Sequence, residues 1–438
     1  SMKPQPADGK TWFMKRSLEP DIRMIETHGQ LGGVWTSGLL SWILDARNKA
    51  GLMSQLLERV EDYRVDLGGR PCRKGGQLYD AEHMKLLLEA MCEEAGVRIR
   101  LHTRVVAAHQ KDGRLTHIVT ESKSGREAFA ADCFIDCTGD GDLAAQAGCE
   151  YDLGRIDQNG SAIPALQPMT LMAMITGVDS DAIAPFYDRQ QYTAIEVKEA
   201  MLAEFQRAGV EPSYGHPTLF EVYPDLFALM TNHEYGRDPL DAQAITDATL
   251  AARREIYKLT DALRRLGEPW QNLRVVVTAS QIGIRESRRP AGLYRIRLDD
   301  LVTGRRHHDA VCECTFGIDV HATSNNGDRG IEQKPTPATL PYDIPYRALV
   351  ARDVDGLLMA GRCISGDFYA HASYRVTGNA VPMGEAAGCV AALASQTGRL
   401  PRELDYTSEV RPLQCELFDS QPIQGSVSPA MLVGQEVS

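Results

Sequence analysis

The 438-residue chain contains no apolar run long enough to span a bilayer as a helix, and no charged-then-apolar leader is read in it, although Ser1-Met2 looks like a cloning remnant and leaves a removed leader open. No membrane-spanning helix is therefore expected. Positive charge is also scarce: the formal net charge is -12, which argues against a nucleic-acid partner. There is no Cys-x-x-Cys pair. Cys312 and Cys314 flank a single residue and have no second pair nearby, so no metal site follows from them. The ten cysteines are scattered, mostly in apolar surroundings. They read as buried free thiols in a reducing cytoplasm rather than as a disulfide framework. No internal repeat or low-complexity tract is present. The apolar share, 43%, is that of a globular enzyme, and the length allows two or three domains.

One absence matters more than the others. Asp21 to Glu26 reads as a strand ending in an acid, the pattern of the second strand of a dinucleotide-binding unit, where such an acid meets the adenosine ribose. A Gly-x-Gly-x-x-Gly loop is expected upstream of it. The stretch Lys3 to Pro20 holds one glycine, Gly9, and no apolar strand. Three explanations fit: the unit lies outside this sequence, a second chain supplies it, or ordinary dinucleotide binding has been lost.

Several stretches suit a ligand. Leu357 to Ala360 reads as a buried strand that stops at Gly361-Arg362. A polar loop follows with Asp367, His371 and Arg375, and then a small-residue helix from Ala380 to Ala394. A strand, a glycine, a polar loop and a helix N-terminus can together present backbone N–H groups to an electron-rich ligand. An ordinary strand–loop–helix packing unit has the same pattern. Residues 80–95 read as a helix capped by Asp80 and ended by Gly96, residues 97–101 as a strand, and Asp112-Gly113 as a hairpin turn. Asp142 is a candidate cap for a helix beginning near Leu143. Residues 245–266 read as a long amphipathic helix with a packing stripe. In Gln281 to Arg289, an extended backbone puts Arg285, Ser287 and Arg289 on one face and Glu286 and Arg288 on the other, so at least one charge must pair internally or enter a pocket.

Taken together, the segments GRCIS…AHAS-R, His28 to Gly38, TGDGD at 138–142, QPMT at 167–170, GIRESRR at 283–289, DVH at 319–321 and YDIPYR at 342–347 resemble the bacterial FAD-dependent oxidoreductase family. The family belongs to the glutathione reductase and succinate dehydrogenase type of flavoprotein. The resemblance runs from about Met24 to Leu393 in the family order. It implies an α/β fold, a Rossmann-like FAD-binding domain with an inserted α+β substrate domain. The implied division is residues 1–155 and 341–400 for the FAD domain, 156–340 for the insertion and 401–438 for a tail.

The resemblance further implies FAD contacts at Glu26, Gly32, Gly33, Thr36, Ser37, Val105, Val106, Thr138, Gly139, Gly361, Arg362, Asp367 and Asn379, with the backbone of Ala380 and Val381 serving as the helix N-terminus beside the flavin. On the substrate side, Arg375 is a candidate for holding a carboxylate or oxyanion and His371 for taking a proton. His321 is a proton carrier or oxygen ligand, with a satisfied strand-end histidine as the alternative; Arg285 is a substrate ligand or part of a structural network. Tyr346 and Arg347 line the pocket or only fix the hinge. The implied activity is hydride transfer between non-covalent FAD and a small polar molecule, whether sugar derivative, organic acid or amine. Two alternatives are carried forward, a partner subunit completing the dinucleotide site and a flavin-free binding protein; a homodimer is what the class suggests, with no residue that establishes it.

Overall fold

The computed structural model describes residues 21–70, 76–155, 166–188, 190–324, 330 and 336–418. The Lys3–Pro20 stretch, most of the Asn325–Pro337 loop and the last twenty residues lie outside the described residues.

Two pairs of parallel strands frame the first part of the fold. Arg23–Ile25 pairs with Arg98–Arg100, and Phe134–Asp136 pairs with Leu357–Met359. The second pair unites segments more than two hundred residues apart in sequence. Its strands are short apolar runs that face helices, which suits parallel pairing. Leu357, Leu358 and Met359 are buried in a core with Phe134, Leu143, Ile344, Met383, Ala386 and Val390. Ile25 packs on the same core. A three-stranded antiparallel sheet, Arg104–Lys111, Arg114–Ser122 and Gly125–Ala130, lies between the two pairs in sequence. Its first turn is Asp112-Gly113, both with positive φ (52° and 79°), a turn whose twist matches the strands it joins.

The middle part is α+β. A four-stranded antiparallel sheet has the order Thr218–Tyr223, Leu226–Met230, Ala173–Thr176, Arg274–Thr278. Ala248, Ala252 and Ile256 of the Ala242–Arg265 helix pack on it, and Leu259 and Leu263 continue the same stripe into an adjoining core. Asp241 caps that helix through the Gln243 N–H, and Gly267 (φ 83°) follows its end. Tyr342–Pro345 then leads back to the Leu357–Met359 strand. The described residues thus form a mixed α/β fold of Rossmann-like type with an additional α+β part.

Three local readings need correction. The Asp367–Arg375 stretch is a helix, Phe368–Tyr374, and not a loop: Asp367 caps it by accepting from the Ala370 N–H at 2.8 Å. The following helix, Thr377–Thr397, starts three residues before Ala380, so its free first-turn amides belong to Thr377 and Gly378, while those of Ala380 and Val381 lie within its hydrogen-bonded turns. Asp142 does not cap the short helix Asp142–Gln146. Asp136 reaches across the turn to the Ala144 N–H at 2.9 Å, and Asp142 pairs with Arg288 at 2.7 Å.

Candidate functional site

Because Phe134–Asp136 and Leu357–Met359 run parallel and in register, the loops after them emerge side by side. This is the edge of an α/β sheet where ligands bind. Thr138 and Gly139 therefore meet Gly361 and Arg362. The Arg362 guanidinium pairs with Asp140 at 2.7 Å and lies so near Gly139 that a Cβ there would sit 3.0 Å from its Nε. Its Nη1 is buried without a partner. Thr138 builds the turn: its hydroxyl donates to Asp136 at 2.7 Å and accepts from the Asp142 N–H at 2.9 Å. Gly361 (φ 86°) leaves its Cβ direction open, with only Ala380 Cβ at 3.8 Å.

Glu26 follows the Arg23–Ile25 strand, as expected, and accepts from the His28 N–H at 2.8 Å. The glycines after it differ in kind. A Cβ on Gly32 (φ 103°) would meet Thr36 and Leu88 within 2.9 Å, so packing requires that glycine. A Cβ on Gly33 (φ 53°) would meet nothing within 4 Å. Thr36 donates to the Leu31 carbonyl, and the Ser37 hydroxyl accepts from Gln30 at 2.7 Å, so both side chains serve their own turn. Val105 packs half-buried on the core, whereas Val106 is exposed at a bulge.

The helix pair at the C-terminal side carries the most unusual groups. His371 is completely buried and neither ring nitrogen has a hydrogen-bond partner. Burial pushes its pKa far down, and Arg289, Arg375 and Arg362 push the same way, so the ring is neutral. Asn379 donates to Cys314 Sγ and the Tyr374 carbonyl, but its Oδ1 is buried and unpartnered. Asp367 has both oxygens engaged, one by Ala370 and the other by the Leu298 N–H at 2.8 Å; its carboxylate ties two helices together.

Arg375 leaves this helix pair toward the middle part. It donates to the Asp319 carbonyl at 2.8 Å and lies 3.3 Å from its carboxylate; its Nε is buried and unpartnered. Arg285 reaches the same place and donates to the Pro168 carbonyl at 2.7 Å and Thr170 Oγ1 at 2.6 Å. It has no carboxylate among these contacts. Burial and then Arg375 push Arg285 down to about 10. Glu286 is not available to it, because it pairs with Arg289 at 2.6 Å with both side chains buried. The GIRESRR run thus does two jobs: Glu286 and Arg289 form a structural pair, while Arg285 stands with Arg375 and Asp319 in a cluster of charges, the recess. Tyr346 and Arg347 take the hinge role, since Tyr346 donates to the Pro401 carbonyl at 2.7 Å and Arg347 pairs with Asp309 at 2.9 Å.

His321 sits against this recess, but not alone. Its Nε2 lies 3.2 Å from Asp319 and its Nδ1 lies 3.1 Å from His233 Nε2; His233 Nδ1 lies 3.1 Å from the Tyr235 hydroxyl. Burial pushes His321 down to about 4 and His233 well below the usual range, with Arg285 adding to both. Asp319 is held far below the ordinary carboxylate range: burial opposes this, and His321, Arg375 and Arg285 outweigh it. Gln167 closes the group, accepting from the His321 N–H at 3.0 Å and from Arg375 at 3.4 Å. Sequence reasoning missed Asp319, His233 and Tyr235 as site residues. Asn232-His233-Glu234-Tyr235 has no motif spacing. It is delivered by the end of the Leu226–Met230 strand and zipped to Met169–Leu171 through Asn232, whose side chain pairs with both the N–H and the carbonyl of Leu171. Among the described residues no group of histidine, cysteine and acid side chains can hold a metal ion, and no helix is long and apolar enough to cross a membrane.

No protein of curated function matches the chain. Among solved structures, the chain is similar to a geranylgeranyl bacteriochlorophyll reductase-like protein of Thermoplasma acidophilum (9% identity, TM-score 0.34, 80% of this chain and 62% of that one). It is also similar to CabE, an aromatic hydroxylase from angucycline biosynthesis (11%, 0.41, 91% and 62%), and to the p-nitrophenol 4-monooxygenase PnpA of Pseudomonas putida DLL-E4 (12%, 0.38, 94% and 85%). The chain spans 62% of the length of the first two. Likenesses of this size say nothing of substrate or reaction. The FAD dependent oxidoreductase family pattern, by contrast, matches residues 19–417, so the chain belongs to that family.

Proposed function

We propose that the protein transfers a hydride between non-covalently bound FAD and a small substrate bearing an anionic group. The observation that carries the anionic part is the charge inventory around the recess. Four guanidinium groups, those of Arg285, Arg289, Arg362 and Arg375, meet three carboxylates, those of Asp140, Glu286 and Asp319. His321, His233 and His371 are neutral. Among the described residues one positive charge, that of Arg285, is left without a carboxylate partner in a partly desolvated place. A carboxylate or similar anion offsets it and supplies the acceptors that Arg375 Nε and the buried Gln167 Nε2 lack.

The residues present fit FAD. Open glycine positions at Gly33 and Gly361, the unpartnered Arg362 Nη1 and Asn379 Oδ1, and the first-turn amides of Thr377 and Gly378 are the groups that would hold it. When bound, FAD supplies the isoalloxazine ring that accepts or returns the hydride. The chain does the rest. Arg285 and Arg375 hold the anionic group and so fix the reacting atoms. An unpartnered ring nitrogen of His371 takes the proton of the reacting hydroxyl or amine, and the bound anion offsets the guanidinium groups that disfavour its imidazolium form. The nine described cysteines are all free, which supports a reducing, cytoplasmic setting.

The test is a visible spectrum of the purified protein, followed by anaerobic bleaching with paired substrates such as α-hydroxy acids and their amides. FAD at near-stoichiometric occupancy and bleaching by the acids alone are expected. Bleaching by the amides at equal rates would remove the anionic requirement.

A further inference from the structure

The chain Tyr235–His233–His321–Asp319 has a property that none of its members has alone. Asp319 is ionised, so His321 Nε2 must donate to it. With His321 neutral, its Nδ1 is an acceptor, and His233 must donate from Nε2 at 3.1 Å. His233 Nδ1 is then an acceptor as well, and the Tyr235 hydroxyl donates to it at 3.1 Å. Every polar hydrogen points toward Asp319 and every nitrogen is satisfied.

A second arrangement is equally complete. The Tyr235 hydroxyl also lies 3.3 Å from the Ser213 carbonyl and can donate there instead. His233 then carries its proton on Nδ1 and donates to the Tyr235 oxygen. Its Nε2 becomes an acceptor, and His321 donates to it from Nδ1 while still donating to Asp319 from Nε2. In this arrangement His321 holds one extra proton as an imidazolium, and no buried donor or acceptor is orphaned. The same atoms, without moving, thus have two saturated hydrogen-bond patterns that differ by one proton.

We propose that Tyr235, His233, His321 and Asp319 form a one-proton store that fills when an anion occupies the recess between Arg285 and Arg375. This rests on the anion-site reading given above. The groups that face the store set its bias. Arg285 and Arg375 stand near enough to both histidines to oppose a further positive charge there. Among the described residues, His216, the Tyr214 ring, 4.1 Å from His233 and 5.7 Å from His321, and Gly330, packed on His233, also face the pair. Asp319 favours the extra proton. Outside Tyr235 stand Glu255, which accepts from the Ser213 N–H at 2.6 Å and hydroxyl at 2.8 Å, and Glu234, raised to about 7 by burial and then by Glu255. An anion between the two guanidinium groups cancels most of the opposition while leaving Asp319 in place. An opposite charge within about 4–6 Å raises such a site by roughly 1–3 pKa units, which brings His321 from about 4 into the range of about 5–7. One proton enters from solvent through the Tyr235 end. An N–H forms at His321 Nδ1 as protons shift along the chain, and no electrons are transferred.

The experiment is calorimetric titration of the full chain with malonate at pH 6, in buffers of different ionisation enthalpy. Binding with net uptake of roughly 0.1 to 0.9 proton per malonate, counted after subtracting the protons that malonate's own second carboxyl releases on binding, is expected, falling toward zero by pH 8. His233→Leu and Tyr235→Phe should bind malonate with little uptake, because neither can complete the protonated pattern. His233→Gln should retain most of the uptake, since its amide can either donate to or accept from His321 Nδ1. A merely structural histidine would affect malonate affinity and not the proton count. Malonate binding without proton uptake in the wild-type protein would overturn the store and leave the anion site standing. Failure of malonate to bind at tens of millimolar would overturn the anion site and the store with it.

Discussion

Glu286→Gln tests whether the site is held up by the buried ion pair behind it. Glu286 and Arg289 pair at 2.6 Å with side chains 0% and 2% exposed. Arg289 also donates to the Gly154 carbonyl at 2.7 Å and the Gly366 carbonyl at 3.2 Å, and Glu286 accepts from the Gln167 N–H at 3.1 Å. Glutamine keeps the shape and one acceptor but removes the charge, leaving a guanidinium buried with only carbonyl partners. Removing one member of such a pair costs about 3–5 kcal/mol. The retained acceptor and carbonyls place this variant near the lower end, about 3 kcal/mol. Arg289→Met should be milder at low pH, because burial already tends to raise the Glu286 carboxyl and the freed acid can take a proton. The double variant should recover more than 1 kcal/mol relative to the sum of the singles, since neither charge is then stranded. Urea denaturation followed by circular dichroism and tryptophan fluorescence measures all three. A loss below about 1 kcal/mol for Glu286→Gln, or additivity in the double variant, would refute the reasoning. Because Gln167 connects this pair to His321 and Arg375, the same variant should also weaken malonate binding.

Three further outcomes are expected. Gly33→Ala and Gly209→Ala have the same backbone problem, positive φ (53° and 73°) with open space at Cβ, so each should lose about 1 kcal/mol of stability; only Gly33→Ala should lower FAD occupancy, and equal occupancy in both would remove Gly33 from the cofactor cradle. Stability should fall as pH drops from about 6.5 to about 4, because folded His321 resists the proton that the unfolded chain accepts over that window; His321→Gln should flatten this slope, and an unchanged slope in stability against pH would count against it. His371→Ala and Arg375→Ala should each slow substrate-dependent flavin reduction by roughly 100-fold or more with flavin content unchanged, measured by stopped-flow; wild-type rates would take them out of the mechanism.

Local signals read from sequence held where the physics is local. The Asp80 cap, the Asp112-Gly113 turn, the Ala242–Arg265 helix ended by glycine and the acid following the Arg23–Ile25 strand depend on neighbours a few residues away. The order of the family motifs was legible for the same reason, and it carried the cofactor class. The start of the Thr377–Thr397 helix was not legible, because Val376 offers no side-chain cap and no polar residue marks the boundary. The recess was even less so. Arg285, Asp319 with His321, and Arg375 came from three separate motifs, and nothing in the spacing of those motifs says that they converge, or that Glu286 is spent on Arg289 while Arg285 is left without a carboxylate among the described residues. His233 and Tyr235 had no motif at all; the Asn232 zipper to Leu171 brings them under His321. Sequence by itself determined which groups the chain owns and the local geometry around each. Only the tertiary structure decided which charges cancel and which remain, because a net charge in a buried place is a sum over partners that are distant along the chain.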